Sequence, residues 1–236
     1  MIAYFVLYSL GVAALFFVLA AVRRIASKEG LASFLISFSK RGLLEAALGG
    51  AVALGTLILY VAYAAIFEGA RFVAAADGSA GGAAAYLALI ALYCLSVAFF
   101  EEALYRGYGL SLLMRRMPAP AAAAISAAVF ACYHLLVVYR NSPGAILGAF
   151  NAFLIGCALA ALVIRRGTLM IGIGFHFIYN LGLLILAPIR ELGLPTAFRL
   201  EIGDVPGYDA TTEPSFTIAF GLVLLWAALS RRARRT

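Results

Sequence analysis

The chain has 236 residues, 65% of them hydrophobic and only 12% charged, and its mean hydropathy of +1.02 points to an integral membrane protein and away from a water-soluble enzyme or binding module. Its net charge is +7 at pH 7. Apolar runs nevertheless use most of the chain and leave no folded soluble domain to recognise nucleic acid.

An apolar run of about 20 residues spans a bilayer, and the sequence offers seven, at roughly 2–22, 43–67, 85–114, 119–138, 144–164, 168–187 and 214–230. The expected fold is therefore all-α: a polytopic bundle of about seven transmembrane helices forming a single membrane domain, 1–236. The first run has no basic residue before it and Arg23-Arg24 after it, the reverse of a secretory signal, so it reads as a retained helix. Lys and Arg collect on the cytoplasmic side, which puts the N-terminus outside and, after seven crossings, the C-terminus in the cytoplasm. That topology places Arg23, Arg24, Lys28, Lys40, Arg41, Arg115, Arg116, Arg165, Arg166, Arg231, Arg232, Arg234 and Arg235 inside. These are 13 of the 18 basic residues, so the charge is largely a topology signal.

Between the runs the sequence is less informative. The segment from Gly78 to Tyr86 reads as a loop entering a helix, with small residues for close packing, and 188–213 as an acidic external loop. The terminal RRARRT reads as a tail against anionic lipid. Cys94, Cys132 and Cys157 fall within spans without metal-type spacing and are expected to be buried small fillers.

The third run contains FFEEALYRGYGL, residues 99–110. A charge in hydrocarbon costs at least about 2.5 kcal/mol and usually faces a cavity or another charge, so Glu101, Glu102 and Arg106 call for a function. Glu102 and Arg106 are four apart on one helical face and can pair; Glu101 is turned about 100° away. The chain has only two histidines, and both, His134 in FACYH and His176 in HFIYN, fall inside apolar runs. Measured from the cytoplasmic ends, Glu101, His134 and His176 lie roughly 21, 22 and 14 Å deep. Three helices can then present these groups near one level. Asn180, one turn after His176, can orient it or add an amide to the same cavity.

Such a set suits water activation. It contains no Ser-His or Cys-His arrangement: Ser126 is too far from His134 along one helix, and Cys132 is on another face. Neighbouring acids in different surroundings can divide roles: Glu102 held ionised by Arg106, and Glu101 free to take a proton as general base. The histidines and Asn180 would polarise a carbonyl or stabilise an oxyanion. The expected reaction is peptide hydrolysis within the membrane, with no cofactor required. A zinc version would use Glu101, His134 and His176 as ligands, although the compact HExxH helix is missing. Intramembrane Glu, His and Arg also suit a small proton-coupled transporter, and a non-catalytic immunity or scaffold protein is a further alternative.

In order and on separate helices, EEALYR (101–106), FACYH (130–134) and HFIYN (176–180) resemble the EExxxR, FxxxH and HxxxN motifs of the CAAX-protease and bacteriocin-processing (Abi) family. The resemblance covers roughly 85–187, the motif-bearing core. It implies an all-helical intramembrane protease of glutamate type, with a polar site opening toward the cytoplasmic side and cutting near a substrate's C-terminus or membrane boundary. By motif position, Glu101 would activate water and Glu102 would be its partner. Arg106 would order the glutamates, His134 and His176 would bind water or oxyanion, and Asn180 would complete the oxyanion site. The implied partner is a membrane-associated protein or peptide, with no nucleic acid. An Ala/Arg-rich, Lys-poor composition further suggests a prokaryotic cytoplasmic membrane.

Overall fold

The computed structural model describes residues 2–27, 36–74, 80–139, 141, 144–186, 198–201 and 214–229. Among them are seven helical segments and one short two-stranded ribbon. Helix α1 is Ile2–Ser27, α2 is Lys40–Phe67, and strand β1 is Arg71–Ala74. Helix α3 begins as Ala80–Glu101, continues without a break as π-helix over Glu102–Leu110, and closes with the α turn Ser111–Leu113. Helix α4, Ala119–Tyr133, likewise runs into a π stretch at His134–Val138. Helices α5 (Ala145–Arg166) and α6 (Met170–Leu186), strand β2 (Phe198–Glu201) and helix α7 (Pro214–Leu229) complete the order.

The chain is a polytopic helical membrane protein. Four helical stretches are long and apolar enough to cross a bilayer, at 40–67, 81–113, 119–138 and 145–166, and three shorter apolar helices accompany them. Large apolar side chains such as Leu54, Ile58, Val129, Ile146 and Leu222 point outward, as lipid-facing positions do. The inner faces meet in a core around Phe130, Ile155, Leu159, Ile171, Phe175, Phe216 and Phe220.

Polar contacts pin both ends of the bundle. At one end the Arg166 guanidinium donates to both carboxylate oxygens of Glu45, at 2.9 Å from Nε and 2.5 Å from Nη2, and Arg165 Nη2 donates to the Ala228 carbonyl at 2.5 Å. The last turn of α5 is thereby tied to the start of α2 and the end of α7. Arg115 and Arg116, after α3, lie at this same basic end. At the opposite end the Tyr86 hydroxyl donates to the Leu184 carbonyl at 2.8 Å, and β1 pairs antiparallel with β2, Arg71 opposite Glu201 and Ala74 opposite Phe198.

Helices α2 and α6 approach closely because both carry glycine at the crossing. A Cβ on Gly49 would run into the Ile171 carbonyl, and one on Gly174 into the backbone of Ala46. Small residues at such a crossing let backbones make van der Waals contact where lipid offers no hydrophobic drive.

The structure departs from the sequence reading in three places. The ribbon is a β element in a fold expected to be all-α. The π stretches have no counterpart in a reading built on 3.6 residues per turn. Of the three cysteines, Cys94 is buried and Cys157 half-buried, but Cys132 is exposed on the outer face of α4, so it is not a buried filler. Lys28, Arg140, Arg190, the basic tail 230–236 and most of the loop 188–213 lie outside the described residues.

Candidate active site

The site forms where α3 changes from α to π geometry. Glu101 ends the α portion and Glu102 opens the π portion. A π turn closes i→i+5 hydrogen bonds and is rare, appearing mostly near functional sites. Within it, Arg106 still reaches back one turn: its Nη1 donates to Glu102 Oε1 at 2.8 Å, with both side chains fully buried. The widened turn leaves the Tyr105 carbonyl facing α4, where the Ser126 hydroxyl donates to it at 2.9 Å. The Ser126 hydroxyl hydrogen is thus directed to the π stretch.

Helix α6 brings His176 against both acids. Its Nδ1 lies 3.2 Å from Glu102 Oε1 and its Nε2 3.6 Å from Glu101 Oε2. A carboxylate can only accept, so Nδ1 carries the hydrogen toward Glu102. Arg106 and His176 therefore share one oxygen of Glu102. The other oxygen, Glu102 Oε2, has no hydrogen-bond partner, and neither do Glu101 Oε2, Arg106 Nε or Arg106 Nη2. So many orphaned polar atoms in one buried place mark a site that takes up water or a polar ligand.

Helix α4 supplies the third wall. Phe130 lies beneath the Arg106 guanidinium, 4.5 Å from its Cζ to the ring centroid, a cation–π contact. The Phe130 carbonyl accepts a hydrogen bond from His134 Nδ1 at 2.9 Å. Because the carbonyl cannot donate, the neutral ring keeps its Nε2 lone pair for whatever enters. The residues four apart in FACYH thus form one unit: the phenylalanine seats the arginine and fixes the histidine's tautomer.

A cavity of about 280 Å³ opens beside these groups, with Glu101, His134, His176 and Asn180 on its wall. All six candidate residues are therefore gathered. Four of them line the cavity, and Glu102 and Arg106 lie behind it. Asn180 takes the expected place on the cavity wall, while the ring nitrogens of His176 face the two glutamates. The sequence reading missed Asn151, which is buried on α5, lines the same cavity and accepts a hydrogen bond from Thr217 at 2.6 Å. It also missed Gly172, the α6 glycine against which the Glu102 carboxylate packs. An asparagine inside an apolar run was the available signal for the first; nothing local signals the second.

Residues 83–182 match the family model described as Type II CAAX prenyl endopeptidase Rce1-like. This stretch of the chain is similar to a CAAX-protease domain. Neither the curated proteins nor the solved structures gave a match. The matched span takes in α3 from residue 83, α4, α5, and α6 as far as residue 182, with all six candidate residues. Among the described residues no three His, Cys, Asp or Glu side chains are grouped so as to hold a metal ion. One nitrogen of His134 faces Phe130, and one of His176 faces Glu102.

Proposed function

We propose that this chain is a glutamate-type intramembrane endopeptidase that hydrolyses a peptide bond near the C-terminus or membrane boundary of a membrane-associated protein or peptide. The observation carrying this reading is the continuous set Arg106–Glu102–His176–Glu101 ending at a cavity, with Glu102 sealed behind it and Glu101 on its wall. Glu102, neutralised by Arg106 and His176, is a fixed element. Glu101 has an oxygen to spare and holds the attacking water.

Glu101 takes a proton from the water as its oxygen bonds to the scissile carbonyl carbon. The developing oxyanion is met by the Asn180 amide on the facing wall, and the Nε2 lone pair of His134 accepts a hydrogen bond from the attacking water. His176, oriented by Glu102, steadies the Glu101 carboxyl through the proton transfer. The C–N bond then breaks as Glu101 passes its proton to the leaving amine, which restores the carboxylate. No cofactor takes part.

The whole chain acts as one membrane domain, 1–236, with 85–187 as its motif-bearing core. It crosses the bilayer seven times with its N-terminus outside and its basic helix ends in the cytoplasm, as expected for a prokaryotic cytoplasmic membrane protein. The test compares membranes of the native host carrying wild type, Glu101→Gln or His134→Ala, with folded levels matched, for C-terminally processed proteins. Loss of one processed product in both variants is the expected result and identifies the substrate. Unchanged processing would sink the protease reading and direct attention to ion or solute flux.

A further inference from the structure

The cavity wall carries a second amide, which the proposed chemistry leaves unused. Asn151 lies on α5 and lines the cavity with Ala152, Ile155 and Leu159. Its Oδ1 accepts a hydrogen bond from the Thr217 hydroxyl on α7 at 2.6 Å. Thr217 stands outside the matched stretch 83–182, so this contact brings a further helix to bear on the cavity. A carboxamide carries its acceptor oxygen on one arm and its two N–H donors on the other. With the oxygen turned to Thr217, the nitrogen is turned away from it.

The level of Asn151 follows from two glycines that touch the Glu102–Arg106 pair. A Cβ on Gly156 of α5 would lie 3.4 Å from Arg106 Nη2, and one on Gly172 of α6 would lie 2.6 Å from Glu102 Oε2. The two helices therefore share an origin at that pair. Only the short turn between Arg166 and Met170 separates them, so counting back along α5 and forward along α6 both lead away from the basic end. Asn151 is five residues from Gly156, and His176 and Asn180 are four and eight from Gly172. At about 1.5 Å per residue these are roughly 7.5, 6 and 12 Å. Asn151 stands at a level between His176 and Asn180, on a different wall.

A polypeptide in an apolar cavity brings a backbone donor and acceptor with every unit, and each one left unpaired there is costly. Glu101, His134 and Asn180 serve the bond that is cut. In an extended chain each residue advances about 3.3 Å, and successive carbonyls point to opposite sides. The difference in level between Asn180 and Asn151, roughly 4.5 Å, is near one such advance. Resting on the protease reading, we propose that Asn151 Nδ2 donates to the carbonyl of the peptide unit beside the scissile one, with Thr217 holding the amide in that orientation. Asn151 is then a substrate-binding residue and Thr217 a positioning residue. A pair that only pinned α5 to α7 would affect folding and leave peptide binding untouched, so the two roles are separable.

The test measures binding and needs no cleavage. Tritiated acetyl-trileucine amide is bound to the purified full chain in detergent, in a Glu101→Gln background. Two analogues are compared with it, each having one internal peptide bond replaced by a trans-alkene of the same shape. A hydrogen bond of ordinary strength is worth roughly 3- to 10-fold in affinity. One analogue is expected to bind more weakly than the parent peptide by that factor, and to lose the deficit when Asn151→Leu is added. Thr217→Val, which removes a hydroxyl at nearly constant shape, should shrink the same deficit, and it carries the comparison alone if Asn151→Leu does not fold. Deficits that neither variant changes, or a parent peptide that does not bind, overturn the assignment. The expected binding alongside a failed processing comparison would instead reject the protease reading and leave Asn151 as a peptide ligand.

Discussion

Glu101 and Glu102 are adjacent in sequence but differ in what surrounds them: one borders a cavity, while the other is enclosed by Arg106, His176 and a glycine. That glycine is Gly172, one turn before His176 on α6. A Cβ there would fall 2.6 Å from Glu102 Oε2. The carboxylate cannot swing aside without loosening its other oxygen from Arg106 and His176, and a shift of α6 would carry His176 with it. Misplacing a reacting group by an ångström can cost about 100-fold, so Gly172→Ala is expected to lower kcat by about that factor and change KM little. Adding Glu102→Asp, which draws the carboxylate back, should recover part of the loss, as steady-state kinetics on the identified substrate would show; an equal loss in both backgrounds would count against it. The Glu102–Arg106 pair was legible because four residues along a helix is a local relation. The need for glycine at 172 was not, because its reason lies on another helix.

At the scale of elements, the hydrophobic runs located the helices closely. The run at 119–138 coincides with α4 and its π stretch, and 214–230 with α7 to within one residue. Length and apolarity are properties of a contiguous segment and can be read from it. The π geometry is not such a property: within it the Tyr105 carbonyl of α3 accepts a hydrogen bond from Ser126 on another helix, α4. Glu45 could have been found by the reasoning applied to Glu101, since it too is an acid inside an apolar run, and its partner Arg166 ends another. The α2–α6 crossing gives a test at this scale. Overfilling a packed site costs about 1–3 kcal/mol or more, and Gly174→Val must displace the Ala46 backbone, so its thermal midpoint in detergent should fall well below wild type. Gly55→Ala, on the same α2 but with nothing within 4 Å of the added carbon, should match wild type or exceed it. Equal midpoints for the two variants would refute the close crossing.

For the whole molecule, the distribution of arginines was the most readable feature and the shape of the site the least. The contacts of Arg165 and Arg166 bring the basic end of α5 to the start of α2 and the end of α7. The β1–β2 ribbon was invisible because its strands are four residues each and far apart in sequence. Directly opposed residues in an antiparallel pair lie about 4.5–5.5 Å apart at Cα, within reach of a disulfide. Phe72→Cys with Leu200→Cys, opposed in this register, should therefore cross-link under oxidising conditions in a chain without other cysteines, and Phe72→Cys with Phe198→Cys should not. A gel shift reads the result, and cross-linking of both pairs alike would reject the register. The ribbon also constrains how the chain can be threaded. An open pair of strands cannot rest in hydrocarbon, where its edge groups would go unsatisfied, so both strands sit on one side of the bilayer. Whatever lies between Ala74 and Phe198 must then cross an even number of times, a parity that the four helices α3 to α6 would satisfy if each crosses once. The ribbon is thus a parity check on the topology: a single helix gained or lost between its strands would pull them to opposite sides, so this part of the protein can grow or shrink only by helical pairs.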